Sequence, residues 1–133
     1  MENLINDLVT DHNALRKLSD NVFDYIASLE KRSEFVSKLK DLILAHIEKE
    51  DKYLYPFLEK EAENSSSLRS KLDFFAKDWA ETSEFALYYI EKYSGGKFDD
   101  DFAKDTAKLI STLRQRMMKE EISLYSEYER RHK

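Results

Sequence analysis

This chain has very few turn-forming residues, and their small number restricts the possible fold classes more than any other feature of the sequence. Its 133 residues include two glycines and one proline, whereas 37% of them are charged. A β-sandwich or a doubly wound α/β fold needs many more turn residues to connect its strands. Apolar residues also recur at steps of three and four, the spacing of a helix with one buried face. The chain is therefore predicted to be all-α, with long helices joined by short turns.

Four helices are predicted from these apolar stripes and from the polar breaks between them. The first runs from Glu2 to about Leu29, and the second from about Glu34 to Glu63. The third runs from about Leu68 to Tyr93, and the fourth opens at Asp99–Asp101. Long amphipathic helices with short connections favour an antiparallel up-down-up-down four-helix bundle. A chain of this length can bury one core, so residues 1–133 are predicted to form a single domain.

Local signals predict where these helices end. Ser33 is predicted to cap the second helix, and Pro56 to kink or interrupt it. The segment 94–98 is the clearest stop signal, with a glycine in the left-handed conformation after the third helix. The predicted buried face of the first helix extends to Phe23 and Leu29.

One segment of the second helix, residues 46–56, places polar groups in the apolar stripe. His46 and Glu50 are four residues apart, so their side chains point the same way from adjacent turns. Burying an imidazole and a carboxylate is costly unless both find partners, and a metal ion would supply one. His12 and Glu50 are equally far along the chain from a turn centred near Lys31. In an antiparallel pair they are therefore expected at the same height.

A weak internal repeat relates the two halves of the chain. The stretch 46–55, HIEKEDKYLY, is matched by 116–125, RMMKEEISLY. The second copy keeps the acidic residues and the final Leu-Tyr, but arginine replaces the histidine. The pair 11–12, Asp-His, is matched in the same way by 78–79, Asp-Trp.

This pattern resembles the hemerythrin-like, or HHE cation-binding, domain over nearly the whole chain. The resemblance implies a four-helix bundle around a non-haem di-iron centre. It also implies functions such as reversible dioxygen binding, oxygen or nitric-oxide sensing, iron storage or sensing, or repair of iron–sulfur centres. Carried over by position, it implies His12, His46, Glu50 and Glu120 as metal ligands. Iron is the expected cofactor, and dioxygen or nitric oxide the expected small ligand.

The chain departs from the family at two ligand positions. Trp79 stands where the third helix should supply a histidine, and Arg116 stands where the fourth should. In one interpretation the four ligands hold a single ion, with Fe(II) preferred and Mn or Zn accepted. Arg116 then replaces the charge of the second metal and forks onto the carboxylates. In a second, unrecognised ligands complete a two-metal site. In a third, no metal binds, Arg116 pairs with Glu50 and Glu120, and the bundle serves as a scaffold for a protein partner.

The tyrosines near this segment have two interpretations. Most simply they pack in the bundle and keep a solvated hydroxyl. Alternatively they are hydrogen-bonding groups beside an oxygen-reactive metal. The residues concerned are Tyr53, Tyr55, Tyr89 and Tyr125.

Composition excludes other classes of function. The chain has no cysteine, so disulfides, thiolate metal sites and thiol nucleophiles are excluded. Neither a serine elbow nor a phosphate-binding glycine loop is present, and an enzyme is not expected. The net charge of −5 argues against nucleic acid. Without a signal peptide or a membrane-spanning apolar run, the expected location is the cytoplasm. Aromatic residues near Tyr88 and Phe98 would permit a homodimer.

Overall fold

The computed structural model describes residues 3–26 and 28–132, and all regular elements in these ranges are helical. The first helix of the bundle is α1 (Leu4–Asp20), followed by the short α2 (Val22–Ile26). The second helix consists of α3 (Leu29–Lys49), a π-helical turn π1 (Glu50–Leu54) and α4 (Tyr55–Ala62). The third is α5 (Ser66–Tyr93), and the fourth consists of α6 (Phe102–Lys119), π2 (Glu120–Leu124) and α7 (Tyr125–Arg131). The prediction of an all-α four-helix bundle is confirmed. None of the described helices has both the length and the apolar character to cross a membrane.

The first helix is shorter than the sequence predicted. It ends at Asp20 instead of near Leu29, and Asn21 follows with φ −97° and ψ 12°. The Asn21 side-chain amide donates to the carbonyl of Lys17 at 3.0 Å. Such local hydrogen bonds are how asparagine competes with continued helix. Phe23, predicted on the buried face, is 83% exposed.

The second helix begins earlier than predicted. Ser28, and not Ser33, caps it, because the Ser28 hydroxyl accepts a hydrogen bond from the Lys31 N–H at 3.2 Å. Leu29 therefore opens α3 and is 63% exposed, contrary to its predicted burial on the first helix. The predicted start of the first helix, at residue 2, lies outside the described residues.

The third helix ends as the sequence predicted. It stops at Tyr93, and Gly96 follows with a φ of 79°, the left-handed conformation that favours glycine. At its other end, the Ser65 hydroxyl caps the helix by accepting a hydrogen bond from the Leu68 N–H at 3.2 Å. Asp101 precedes the fourth helix, but its side chain makes no capping hydrogen bond there.

The core consists of two apolar regions separated by a layer of buried polar residues. One region surrounds Phe35, and the other surrounds Leu58. His12 lies between Leu8 of the second region and Leu15 of the first. The layer contains the buried polar side chains of His12, His46, Glu50, Arg116 and Glu120. Because apolar packing on both sides fixes the helices, these polar groups are held close together and away from water.

The π turns occur at equivalent places in the two halves of the repeat. The N–H of Tyr55 bonds to the carbonyl of Glu50, and the N–H of Tyr125 to that of Glu120, each spanning five residues. Such a turn directs its first residue and the residue five later to the same side of the helix. Pro56 lies in the first turn of α4, where its missing N–H is tolerated. The predicted interruption therefore exists just before Pro56, but the fourth helix makes the same turn without a proline.

Candidate metal centre

The four side chains singled out from the sequence lie together in the polar layer. His12 is on α1, His46 is near the end of α3, and Glu50 and Glu120 open the two π turns. One nitrogen or oxygen atom of each lies within 4.8 Å of the corresponding atoms of the others. None of the four is more than 6% exposed. We call these four residues the histidine–carboxylate cluster; their role as metal ligands stays a prediction.

Hydrogen bonds on the outer side of the two imidazole rings determine where their protons lie. His12 Nδ1 donates to Glu121 at 2.7 Å, and His46 Nδ1 donates to Asp11 at 3.0 Å. A carboxylate only accepts, so each Nδ1 carries a proton and each neutral ring has a free lone pair on Nε2. The two Nε2 atoms face each other at 3.0 Å. Carboxylates in this outer position are typical of metal-binding histidines.

The outer carboxylates are held in turn by cationic side chains. Lys49 Nζ lies 3.1 Å from both oxygens of Asp11, and Arg16 donates to Glu121 at 3.0 Å. Burial raises the pKa of Glu121, but its hydrogen bonds to Arg16 and His12 outweigh burial and lower that pKa overall. Sequence reasoning assigned no site role to Asp11 or Glu121. The signal available was adjacency, since each neighbours a cluster residue in the chain.

The hydroxyl of Tyr125 lies at the centre of the cluster. It donates to Glu50 Oε2 at 2.9 Å, and it is 3.0 Å from His12 Nε2 and 3.3 Å from His46 Nε2. Burial raises the pKa of Tyr125, and the carboxylates of Glu120 and Glu50 raise it further. The phenol therefore keeps its proton when no cation is near.

More acceptors converge here than the donors of the described residues can satisfy. His12 Nε2 is 3.3 Å from Glu120 Oε1, and His46 Nε2 is 3.3 Å from Glu50 Oε2. Tyr125 supplies a single proton to this group. Among the described residues, Glu120 Oε2 has no hydrogen-bond partner, and Arg116 Nε faces it at 3.4 Å as an ion pair. Buried acceptors without donors are costly, and one cation accepts several lone pairs at once. The donor set therefore fits a metal ion.

The pKa shifts differ between the members of the cluster. Burial raises the pKa of Glu50, but hydrogen bonds to His46, Glu120 and Tyr125 outweigh burial and lower that pKa to about 2. Burial and the nearby Glu50 carboxylate raise the pKa of Glu120 well above its usual value. Burial alone lowers the pKa of His46, but Glu50 and Asp11 outweigh it, so this pKa is raised. Burial, with His46 alongside, lowers the pKa of His12 to about 4. Some members of the cluster thus attract a proton, and a metal ion competes for the same place.

Arg116 fills the second-half position that the repeat equates with a histidine. One terminal nitrogen donates to the Phe75 carbonyl at 3.0 Å and to the Asp78 carboxylate at 3.3 Å. The other donates to the Tyr55 hydroxyl at 2.8 Å. Its Nε lies 3.4 Å from Glu120 Oε2. The prediction that the guanidinium bonds to both Glu50 and Glu120 is therefore wrong. Its terminal nitrogens bond to other groups, and Nε alone faces Glu120.

A cavity of about 20 Å³ adjoins the cluster. This volume holds one water-sized molecule. Trp79 is half-buried beside it, with its ring 4.8 Å from the Arg116 guanidinium carbon. The bulk of Trp79 thus occupies the second half-site together with Arg116. Besides the four cluster residues, the lining consists of Leu15, Ile43, Ile47, Trp79, Leu113, Arg116 and Met117.

Of the four tyrosines considered from the sequence, two lie at this site. Tyr125 contacts the cluster and Tyr55 contacts Arg116. Tyr53 is 52% exposed, and the Tyr89 hydroxyl bonds to Thr106 at 2.7 Å. The internal repeat distinguishes Tyr55 and Tyr125 from the other two tyrosines. Each of these two lies five residues after a glutamate that the repeat conserves.

Comparison with known proteins identifies the family of this chain. A family model described as the hemerythrin HHE cation binding domain matches residues 3–128. Comparisons with curated proteins and with solved structures gave no significant match. The matched segment includes the first three helices of the bundle, nearly all of the fourth, and every residue of the histidine–carboxylate cluster. The chain therefore belongs to the hemerythrin HHE cation-binding family.

Proposed function

We propose that this protein binds a single iron ion through His12, His46, Glu50 and Glu120, and that it serves as a dioxygen- or nitric-oxide-binding or sensing module, not as an enzyme. One observation carries the proposal: the Nε2 atoms of two imidazoles and two carboxylates converge in the buried polar layer around the Tyr125 hydroxyl. Two nitrogen and two oxygen ligands suit Fe(II), and the family model that matches this chain is described as cation binding.

The surrounding residues prepare the site for a metal. Asp11 and Glu121 orient the imidazoles, and the lowered pKa of His12, about 4, keeps its ring neutral at physiological pH. The small cavity, walled largely by apolar side chains, lies beside the cluster, where a small ligand of the metal would bind. Iron held by these four residues would supply the chemistry that binds dioxygen or nitric oxide.

Arg116 favours one metal over two. Its guanidinium is always charged, so it provides beside Glu120 the positive charge that a second ion would bring. Trp79 occupies the neighbouring space and offers no metal ligand. In the second half-site, the Arg116 guanidinium therefore stands where a second metal ion would lie.

The alternative is a metal-free bundle that acts as a scaffold for a protein partner. It requires Arg116 to satisfy both carboxylates of the cluster. Since its terminal nitrogens bond to Phe75 and Tyr55, the acceptors around Glu50 gain no donor from it. This distribution of hydrogen bonds supports the metal-binding proposal over the scaffold.

Metal analysis of purified protein tests the proposal. Protein from iron-supplemented cells is expected to contain about one iron per chain, and His46→Ala and Glu50→Ala are expected to lose it. Glu48→Ala, an exposed change on the same helix, is the matched control and should keep the metal. Fe(II) should also raise the melting temperature of the parent, since a ligand that binds only the folded state stabilises it. A metal-free parent with an unchanged melting temperature would support the scaffold instead.

The small ligand needs its own measurement. Ferrous protein prepared without oxygen is titrated with dioxygen or nitric oxide while its absorption spectrum is recorded. A saturable spectral change in the parent, absent from metal-free protein, is expected. An unchanged spectrum with iron bound would limit the function to metal binding.

A further inference from the structure

The two π turns give Tyr55 and Tyr125 equivalent positions, each five residues after a buried glutamate. Each tyrosine points across to the half-site of the other half of the repeat. The Tyr55 hydroxyl accepts a hydrogen bond from the Arg116 guanidinium at 2.8 Å. The Tyr125 hydroxyl lies among His12, His46 and Glu50. By this symmetry, Tyr125 faces the first half-site as Tyr55 faces the cation of the second.

The Tyr125 hydroxyl oxygen lies among the atoms that would hold the ion. It lies 2.9 Å from one ligand oxygen and 3.0 and 3.3 Å from two ligand nitrogens. The atoms that would hold the ion are themselves within 4.8 Å of one another. An ion that contacts all of them must either bind the Tyr125 oxygen or displace it.

Packing opposes displacement. The Tyr125 side chain belongs to the apolar core region around Leu58, and the residue is 1% exposed. Its ring also stacks on His12, with centroids 5.3 Å apart and an interplanar angle of 23°. Protein interiors are close-packed, so moving a buried ring requires its neighbours to move as well. Binding is therefore the easier outcome.

We propose that Tyr125 is a fifth ligand of the metal and binds ferric iron as a phenolate. This inference rests on the proposed function, because it requires that iron binds the cluster. On binding, the phenol O–H bond breaks, an oxygen–iron bond forms, and the proton leaves to solvent. No electron is transferred when ferric iron is the species supplied.

The spectrum of the ferric protein tests this ligand directly. Phenolate bound to ferric iron produces a broad visible charge-transfer band, and excitation into it enhances the tyrosine ring vibrations in resonance Raman spectra. Parent protein, Tyr125→Phe and Tyr55→Phe are each incubated with ferric citrate, and bound iron is measured beside the spectra. The parent and Tyr55→Phe should be coloured, whereas Tyr125→Phe should bind iron without the band.

The outcomes separate this inference from the proposed function. An iron-loaded parent without the band overturns the tyrosine ligand and leaves iron binding intact. The same follows if the iron-loaded Tyr125→Phe protein keeps the band. A parent that binds no iron overturns both. If Tyr125→Phe does not fold, Tyr55→Phe decides, because Tyr55 is the only other tyrosine of the described chain that lies at this layer; loss of the band there would contradict the assignment.

Discussion

The guanidinium of Arg116 lies against the carboxylate of Glu120, with Nε 3.4 Å from Oε2 and both side chains 3% exposed. In the other half of the repeat, His46 stands in the same relation to Glu50, four residues ahead of it. One half of the bundle thus presents a ligand to its glutamate, and the other half presents a permanent cation.

Removing that cation should destabilise the protein strongly. Arg116→Met leaves Glu120 buried without its positive neighbour and leaves the Phe75 carbonyl without a donor. Breaking a buried pair in this way costs about 3 kcal/mol of unfolding free energy. Urea denaturation of metal-free protein measures the loss. The control is Arg114→Met, on the same helix but exposed and paired with Asp20, which should cost less than about 1 kcal/mol. Equal losses in the two variants would mean that Arg116 is not electrostatically important.

The outer carboxylates should tune metal affinity without being ligands. Asp11→Asn weakens the acceptor that orients His46, and Glu121→Gln does the same for His12. Loss of such partners lowers metal affinity by about 10- to 100-fold. Competition with a chelator measures the affinity for Fe(II). Asp7→Asn, an exposed change on α1, should leave it unaltered. Affinities equal to that of the parent would show that the histidines do not need these carboxylates.

The bundle was predictable because its signals are local. Helix periodicity, few turn residues and the stop before Gly96 all act within short stretches of chain. The prediction failed at Asn21 and Ser28, where side-chain hydrogen bonds ended one helix and began the next within an apolar pattern that continued through them. Phe23 and Leu29 were misassigned for that reason, since a stripe indicates a shared helix face only while the helix continues.

The site was predictable in part. Spacing placed His46 and Glu50 on one face, and the repeat pointed to Glu120. Tyr125 was considered as a hydrogen-bonding group beside the metal, but its central position was not predicted. An α-helix places a residue five positions later on a different face, and no sequence pattern indicated a π turn. The hydrogen bonds of Arg116 were also beyond reach, since they depend on the Phe75 carbonyl, whose direction only the folded chain defines.

The turn after the third helix allows a direct test of whether Gly96 adopts the left-handed conformation. Gly96 has a φ of 79°, and a Cβ there would meet Ser33 Oγ at an ordinary 3.7 Å. Gly96→Ala should therefore lose about 1 kcal/mol of unfolding free energy through backbone strain alone. Gly95→Ala is the matched control, because no atom lies within 4 Å of its Cβ position and its φ is not positive. Thermal or urea unfolding compares the two, and a Gly96 variant as stable as the Gly95 variant would contradict the left-handed turn.

The second half-site should regain metal binding if its cation is replaced by ligands. In Trp79→His/Arg116→His, the guanidinium is gone and two imidazoles stand near Glu120 and the Tyr55 hydroxyl. Because a second ion would then supply the missing positive charge, iron content should rise from about one to about two per chain. Metal analysis after Fe(II) loading measures this content.

The control for this double change is Arg116→Met, which removes the guanidinium and adds no ligand. It should hold no more iron than the parent, provided that circular dichroism shows it to be folded at the assay temperature. If the double variant also stays at one iron per chain, then Arg116 and Trp79 are not what limits this bundle to a single metal. The single-ion site would then have to follow from the geometry of Glu50 and Glu120 instead.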